Sequence, residues 1–336
     1  MPSRAPRALP AFALAAVMAA ALAVSPAARQ IRTPRQTPFP QSPDFSRLAV
    51  ETLHVQGNVY LLAGAGANIA VQIGETGVLV VDAGHAEMSE KVLAAIRALS
   101  DRPIRIIINT TLADDHTGGN GALVAAGFLN QAGPGLGGRP NEGDLIGHAE
   151  LLRLMTEIGE ETISTDRWPP STFSVGRKDL FSNGEPVEII HTPAATAGDS
   201  MVWFRKSDVL VTGEVMNQTS FPFIDVAHGG HIDGTIEGLN RLLDIMVPAH
   251  LQEGGTMAIP AHGRISDEHD VLEYRDMVTI IRDRVQHAID QGMTLAQVQA
   301  LDPSVTYEYE PRFDRDPAWT ARMFTEAIYR TLSEAR

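Results

Sequence analysis

The chain has 336 residues, a formal charge of −14 with histidine neutral, 11 His and no Cys. The lack of cysteine excludes disulfide frameworks, thiolate-held clusters and cysteine nucleophiles, so any metal has to be held by imidazole and carboxylate. The acidic balance argues against a nucleic-acid partner, which needs clustered basic charge, and 44% hydrophobic with 20% charged residues describes an ordinary globular chain.

Arg4 and Arg7 precede an almost wholly apolar run, Ala8–Val24, and Ser25-Pro26-Ala27 offers a small-x-small cleavage site. Residues 1–27 read as an export signal. A membrane anchor is the alternative, but a run of roughly 17 residues is at the lower limit for crossing a bilayer. The expected product is exported to the periplasm or outside the cell, with no stable membrane insertion once the signal is removed. Residues 28–47 carry Pro34, Pro38, Pro40 and Pro43 among polar residues and read as an extended linker.

A domain is expected over 48–292. Leu53–Val55, Val59–Ala63, Ile69–Ile73 and Val78–Val81 are short β-rich segments punctuated by glycine, the pattern of an antiparallel meander. Met88, Val92, Ile96 and Leu99 then recur at helical spacing, and Ile104–Ile108 reads as a buried strand opening into the polar loop Asn109–His116. The second half repeats the theme with strands near Val187–Ile190, Met201–Phe204 and Val209–Val211, a helix over Ile236–Met246 and a strand over Met257–Ile259. A long helix over about 267–291 places Val271, Tyr274, Val278, Ile281, Val285 and Ala288 on one side. Two successive β-then-α halves predict an α/β (α+β) fold with stacked sheets flanked by helices, a four-layer αββα sandwich. Residues 293–336 form a C-terminal helical extension, with Trp319, Met323 and Ala327 in its final helix.

The segment Asn109-Thr110-Thr111-Leu112-Ala113-Asp114-Asp115-His116-Thr117-Gly118-Gly119-Asn120 resembles the signature loop of the metallo-β-lactamase superfamily, His-x-His-x-Asp-His followed by Gly-Gly-Asn. Val80-Val81-Asp82-Ala83-Gly84, His191-Thr192-Pro193-Ala194-Ala195, Leu210-Val211-Thr212-Gly213-Glu214 and Ile259-Pro260-Ala261-His262-Gly263 resemble its other motifs, in the same order. The resemblance implies a hydrolase with two zinc ions between the sheets. Carried over by position, the first ligand set falls on Thr111, Ala113 and Ala195, none of which can serve, so that site is lost. The second falls on Asp115, His116 and His262, all of the expected type, and the bridging carboxylate on Glu214.

Two imidazoles and a carboxylate suffice for one Zn²⁺, with Glu214 as a further ligand; Fe or Mn would accept the same donors. One metal-bound water, with Asp115 or Glu214 as general base, is sufficient to cleave an ester, lactone or lactam bond of a small-molecule substrate. The competing expectation is a catalytically inactive member of the same fold that binds a small molecule or a protein. Asp82, His191 and His148 are expected to orient the site from behind the ligands, and His228 and His231 are the residues that could replace lost ligands. Gly133-Pro134-Gly135-Leu136-Gly137-Gly138 formally matches a dinucleotide fingerprint, but it neither follows a strand nor opens a helix. It reads instead as part of an insertion over 131–143 beside the pocket.

Overall fold

Short apolar runs separated by glycine build the first sheet. In the computed structural model, which describes residues 44–128, 144–304 and 319–334, β1 (Glu51–Gln56), β2 (Val59–Ala63), β3 (Ile69–Gly74) and β4 (Gly77–Val81) form an antiparallel meander. The chain then crosses over through α1 (Ser89–Leu99) to β5 (Ile104–Ile108), which lies parallel to β4. A four-residue helix α2 (Asp114–Thr117) and α3 (Asn120–Phe128) follow, before β6 (Asp144–His148), α4 (Ala149–Ile158) and β7 (Ser171–Phe173) extend the parallel edge. The switch from antiparallel to parallel pairing follows from the connections, since parallel neighbours need a long crossover and hairpins do not.

The second sheet has the order β12-β11-β10-β9-β8, built from β8 (Arg177–Ser182), β9 (Glu185–His191), β10 (Ser200–Phe204), β11 (Val209–Val211) and β12 (Met257–Ile259). Helix α5 (Ile232–Ile245) is the crossover between the parallel pair β11 and β12. Three further helices complete the described chain: α6 (Glu268–Asp290), α7 (Leu295–Leu301) and α8 (Ala321–Glu334).

Three apolar clusters define the layers. Val59, Leu79, Val81 and Ile146 of the first sheet meet Val187, Val202, Val211 and Ile259 of the second. The outer face of the first sheet, with Val71, Val80 and Ile107, packs on Val92 and Ile96 of α1 and Leu123 of α3. The outer face of the second, with Ile190, Met201, Leu210 and Ala258, packs on α5, α6 and α8. The αββα sandwich is therefore realised, and α8 contributes Phe324, Ile328 and Leu332 to the same core as α5 and α6.

Two local departures have clear causes. Helix α5 begins at Ile232, earlier than periodicity suggests, because the His231 ring caps it by accepting a hydrogen bond from the Asp233 backbone N–H. Strand β8 lacks an apolar alternation because it is an edge strand whose Arg177, Asp179 and Phe181 are exposed. The expected export signal, most of the linker and the glycine-rich insertion lie outside the described residues. Among the described residues no helix is long and apolar enough to cross a membrane.

The signature loop is locked to the end of β4 by backbone. Ala83 N–H donates to the His116 carbonyl at 2.7 Å and Gly119 N–H to the Gly84 carbonyl at 2.9 Å. A Cβ at Gly119 would collide with the Ala83 carbonyl oxygen, which belongs to rigid backbone. Gly119→Ala is therefore expected to cost about 1–3 kcal/mol, measured by chemical denaturation, through displacement of the loop.

Candidate metal centre

Every side chain of the centre comes from the same edge of the sandwich, where strands end in polar turns. Asp82 follows β4, Asp115 and His116 lie in α2 after β5, Glu214 sits in a single 3-10 turn after β11, and His262 follows β12. Gly213 enters that turn at φ 53°, a left-handed value that glycine adopts without penalty, with Thr110 packed against its α-carbon.

Among the described residues, Asp115, His116 and His262 each offer one ligand atom, and those atoms lie within 4.8 Å of one another. His262 Nε2 is 3.2 Å from Asp115 Oδ2 and 3.7 Å from Glu214 Oε1, while His116 Nε2 is 3.2 Å from Glu214 Oε1. All four side chains are buried. The opposite edge of the His116 ring is held by Asp82, whose Oδ2 lies 2.8 Å from Nδ1. Asp82 also accepts from Thr110 N–H and from the Thr110 hydroxyl. That contact places the ring's proton on Nδ1 and leaves Nε2 as the ligand atom, the usual carboxylate–histidine arrangement behind a metal. Burial alone would lower the His116 pKa, yet the charge and hydrogen bond of Asp82, with Glu214 and Asp115 nearby, hold it well above the ordinary imidazole value.

The donor set fits a divalent ion. Three buried carboxylates, Asp82, Asp115 and Glu214, face two imidazoles, so a cation at their centre offsets surplus negative charge. Glu214 Oε2 is buried and has no hydrogen-bond partner among the described residues, which is costly unless an ion or water engages it. The residues fit zinc, and also iron or manganese.

The positions that would hold a first ion are occupied differently. Ala113 and Ala195 present buried methyl groups. The Thr111 hydroxyl donates to Asp199 Oδ1 at 2.8 Å, and Thr196 donates to the same carboxylate through its hydroxyl (2.6 Å) and its backbone N–H (2.9 Å). Asp199 escaped the sequence reading. Its signal was a hydroxyl at Thr111 in the signature loop and a carboxylate in the third motif, which only spatial proximity connects.

Burial pushes the Asp199 carboxyl up to about 6, against the opposing effect of its Thr196 hydrogen bonds. An acid whose pKa is higher folded than unfolded binds extra protons in the native state, so its contribution to stability falls as pH rises from about 4 to about 6. The penalty at pH 7 is on the order of 3 kcal/mol. Asp199→Asn is expected to raise the melting temperature relative to wild type more at pH 7 than at pH 4.

The remaining sequence candidates have partners other than the Asp115, His116 and His262 group. His148, at the end of β6, and His191, at the end of β9, stack with ring centroids 3.5 Å apart. His228 binds Asp225 at 2.7 Å, a contact that raises its pKa, and its backbone carbonyl accepts from Ala197 N–H. His231 uses Nδ1 to cap α5, and its Nε2 lies 3.2 Å from the Thr331 carbonyl. Neither belongs to the Asp115, His116 and His262 group, because both rings are taken up by neighbours elsewhere. Arg167, also unforeseen, braces α2: it donates to Asp114 Oδ1 (2.6 Å), to the Thr117 hydroxyl and to the Leu112 carbonyl.

The family model for the metallo-beta-lactamase superfamily matches residues 54–262. A linear primary-alkylsulfatase from Pseudomonas sp. is 24% identical over 252 residues, which is 65% of this chain and 46% of that protein. The chain thus spans about half the length of the curated relative it matches. Among solved structures, a stereoselective inverting sec-alkylsulfatase from Pseudomonas sp. superposes with a TM-score of 0.61 at 14% identity, over 84% of this chain and 50% of that one. A metallo-beta-lactamase from Pontibacter korlensis gives 0.51 at 16% identity, over 68% of this chain and 99% of that one. These likenesses are of fold.

Proposed function

The chain belongs to the metallo-β-lactamase superfamily, and from that premise we propose that it is an exported single-metal hydrolase of ester bonds, with sulfuric esters of alkyl alcohols the substrate class to test first. The observation that carries this reading is the buried convergence of Asp115, His116, His262 and Glu214, beside first-site positions that hold only Thr111, Ala113 and Ala195. The substrate class draws support from the alkylsulfatase relative and from the sec-alkylsulfatase fold match.

Asp115, His116, His262 and Glu214 would hold the ion, zinc first among the three metals. One such ion supplies Lewis acidity and makes a water acidic enough to ionise near neutrality. Asp82 fixes the His116 tautomer so that Nε2 faces the centre. Glu214 Oε2, which has no hydrogen-bond partner among the described residues, would serve as the general base that accepts a proton from water.

Purified with added zinc, the chain is expected to carry about one equivalent by mass spectrometry of the metal and to release sulfate from hexyl sulfate, read by ion chromatography. Chelation should stop the release. Metal content below about a tenth of an equivalent sinks the single-metal reading, and a zinc-loaded chain that releases no sulfate sinks the substrate class. Residues 1–27 are read as the export signal, so the intact mass of the exported protein should correspond to a chain beginning near residue 28.

A further inference from the structure

The His148 imidazole is 95% buried, with a relative exposure of 5%, yet only one of its two nitrogens is accounted for. Nδ1 accepts a hydrogen bond from the Glu150 backbone N–H at 3.2 Å and so caps α4. A neutral ring that accepts at Nδ1 carries its proton on Nε2. That Nε2–H has no partner among the described residues. An orphaned buried donor is expensive, and in a native site it calls for an acceptor that arrives from outside.

The ring's position says what the acceptor is for. His148 ends β6, which pairs with β5 immediately before the signature loop, and Asn109 N–H donates to the Ile146 carbonyl. Its stacking partner His191 pairs with Ser200, whose N–H donates to the Thr110 carbonyl. Thr110 in turn bonds Asp82 behind His116. The ring is clamped between His191 and the edge of Phe173, at a centroid distance of 4.9 Å, so its orientation is fixed before any ligand binds. Through His191 and Ser200 it is tied to Thr110, the residue next to Thr111 in the signature loop.

We propose that His148 Nε2–H is a substrate-binding donor, aimed at an oxygen of the sulfuryl group on the side of the site that lacks a first metal. Burial, reinforced by the neighbouring His191, depresses the ring to about 4, so it stays neutral and acts as a fixed hydrogen-bond donor through neutral pH. The ligand class rests on the ester-hydrolase reading; the donor itself rests on the ring's geometry.

Hexane-1-sulfonate separates the two, because it presents sulfonyl oxygens on a bond that cannot be hydrolysed. Nitrogen-15 NMR of the wild-type histidines is expected to find His148 as the Nε2–H tautomer and to see that resonance shift on adding hexane-1-sulfonate. His148→Asn keeps a cap acceptor for Glu150 N–H, but its amide N–H groups fall short of the position of Nε2; it should retain thermal stability and zinc content while binding hexane-1-sulfonate about tenfold more weakly. His148→Gln keeps a donor of similar reach and loses the cap, so it should melt lower and bind the probe like wild type. An Nδ1–H tautomer, wild-type affinity in His148→Asn, or no binding of the probe by wild type overturns the assignment. Binding of the probe without hydrolysis of hexyl sulfate overturns the sulfuric-ester substrate class and leaves His148 in its role.

Discussion

Replacing His116 with alanine is expected to remove both metal binding and sulfate release, the largest functional loss available from one substitution. His116 is fully buried, its Nε2 is one of three clustered ligand atoms, and its Nδ1 edge is committed to Asp82. Deleting the ring leaves Asp82, Asp115 and Glu214 as buried carboxylates with one imidazole fewer, so the centre loses a donor and an electrostatic counterpart together. Asp82→Asn is the graded version. Asp82 sits at φ 64°, a left-handed conformation that asparagine tolerates, so the substitution tests charge and tautomer control with little backbone strain. It is expected to lower zinc affinity about 10–100-fold, measured by competition with a chelator. His191→Ala should leave zinc content unchanged, since that ring donates to the Ala197 carbonyl and stacks on His148.

Trp319→Ala is expected to have the largest effect on stability, about 3–5 kcal/mol by chemical denaturation. Trp319 is 5% exposed, meets Phe223 edge to face at 4.9 Å, and donates from Nε1 to the Phe221 and Pro222 carbonyls at 3.1 Å each. Those carbonyls belong to the loop that leaves the Glu214 turn and runs through Asn217, which bridges to His262. The loss should therefore also weaken zinc binding. Trp319→Phe keeps most of the packing and removes the hydrogen bonds, so its cost should be nearer 1 kcal/mol. A Trp319→Ala variant as stable as wild type would show that the C-terminal segment is an accessory to the core rather than part of it.

Much of this architecture was legible from residue pattern. The meander β1 to β4 is written in short apolar runs broken by glycine, and α6 in an apolar face that runs from Val271 to Ile289 and is closed at the helix start by the reciprocal Asp267–Asp270 capping box. Strands β7 and β8 were not legible. One has three residues, and the other is an exposed edge whose pairing is made by backbone rather than by an apolar face. The candidate ligands Asp115, His116, His262 and Glu214 could be named because each lies in a segment that resembles a motif of the superfamily. Asp199 and Arg167 could not, since their roles depend on partners 88 and 53 residues away in the chain, Thr111 and Asp114.

The sequence by itself determined the αββα class, through apolar periodicity and motif order, and its resemblance to the superfamily's motifs pointed to Asp115, His116, His262 and Glu214 as candidate ligands, with Thr111, Ala113 and Ala195 where other ligands would be expected. Only the tertiary structure decided what surrounds Thr111 and Ala195. There Asp199 gathers the Thr111 and Thr196 hydroxyls, and His148 and His191 stack across the ends of two sheets. The structure also committed His228 and His231 to neighbours elsewhere. These are contacts between segments far apart in the chain, and their hydrogen-bond directions, burial and electrostatic consequences exist only once the two sheets have closed on each other.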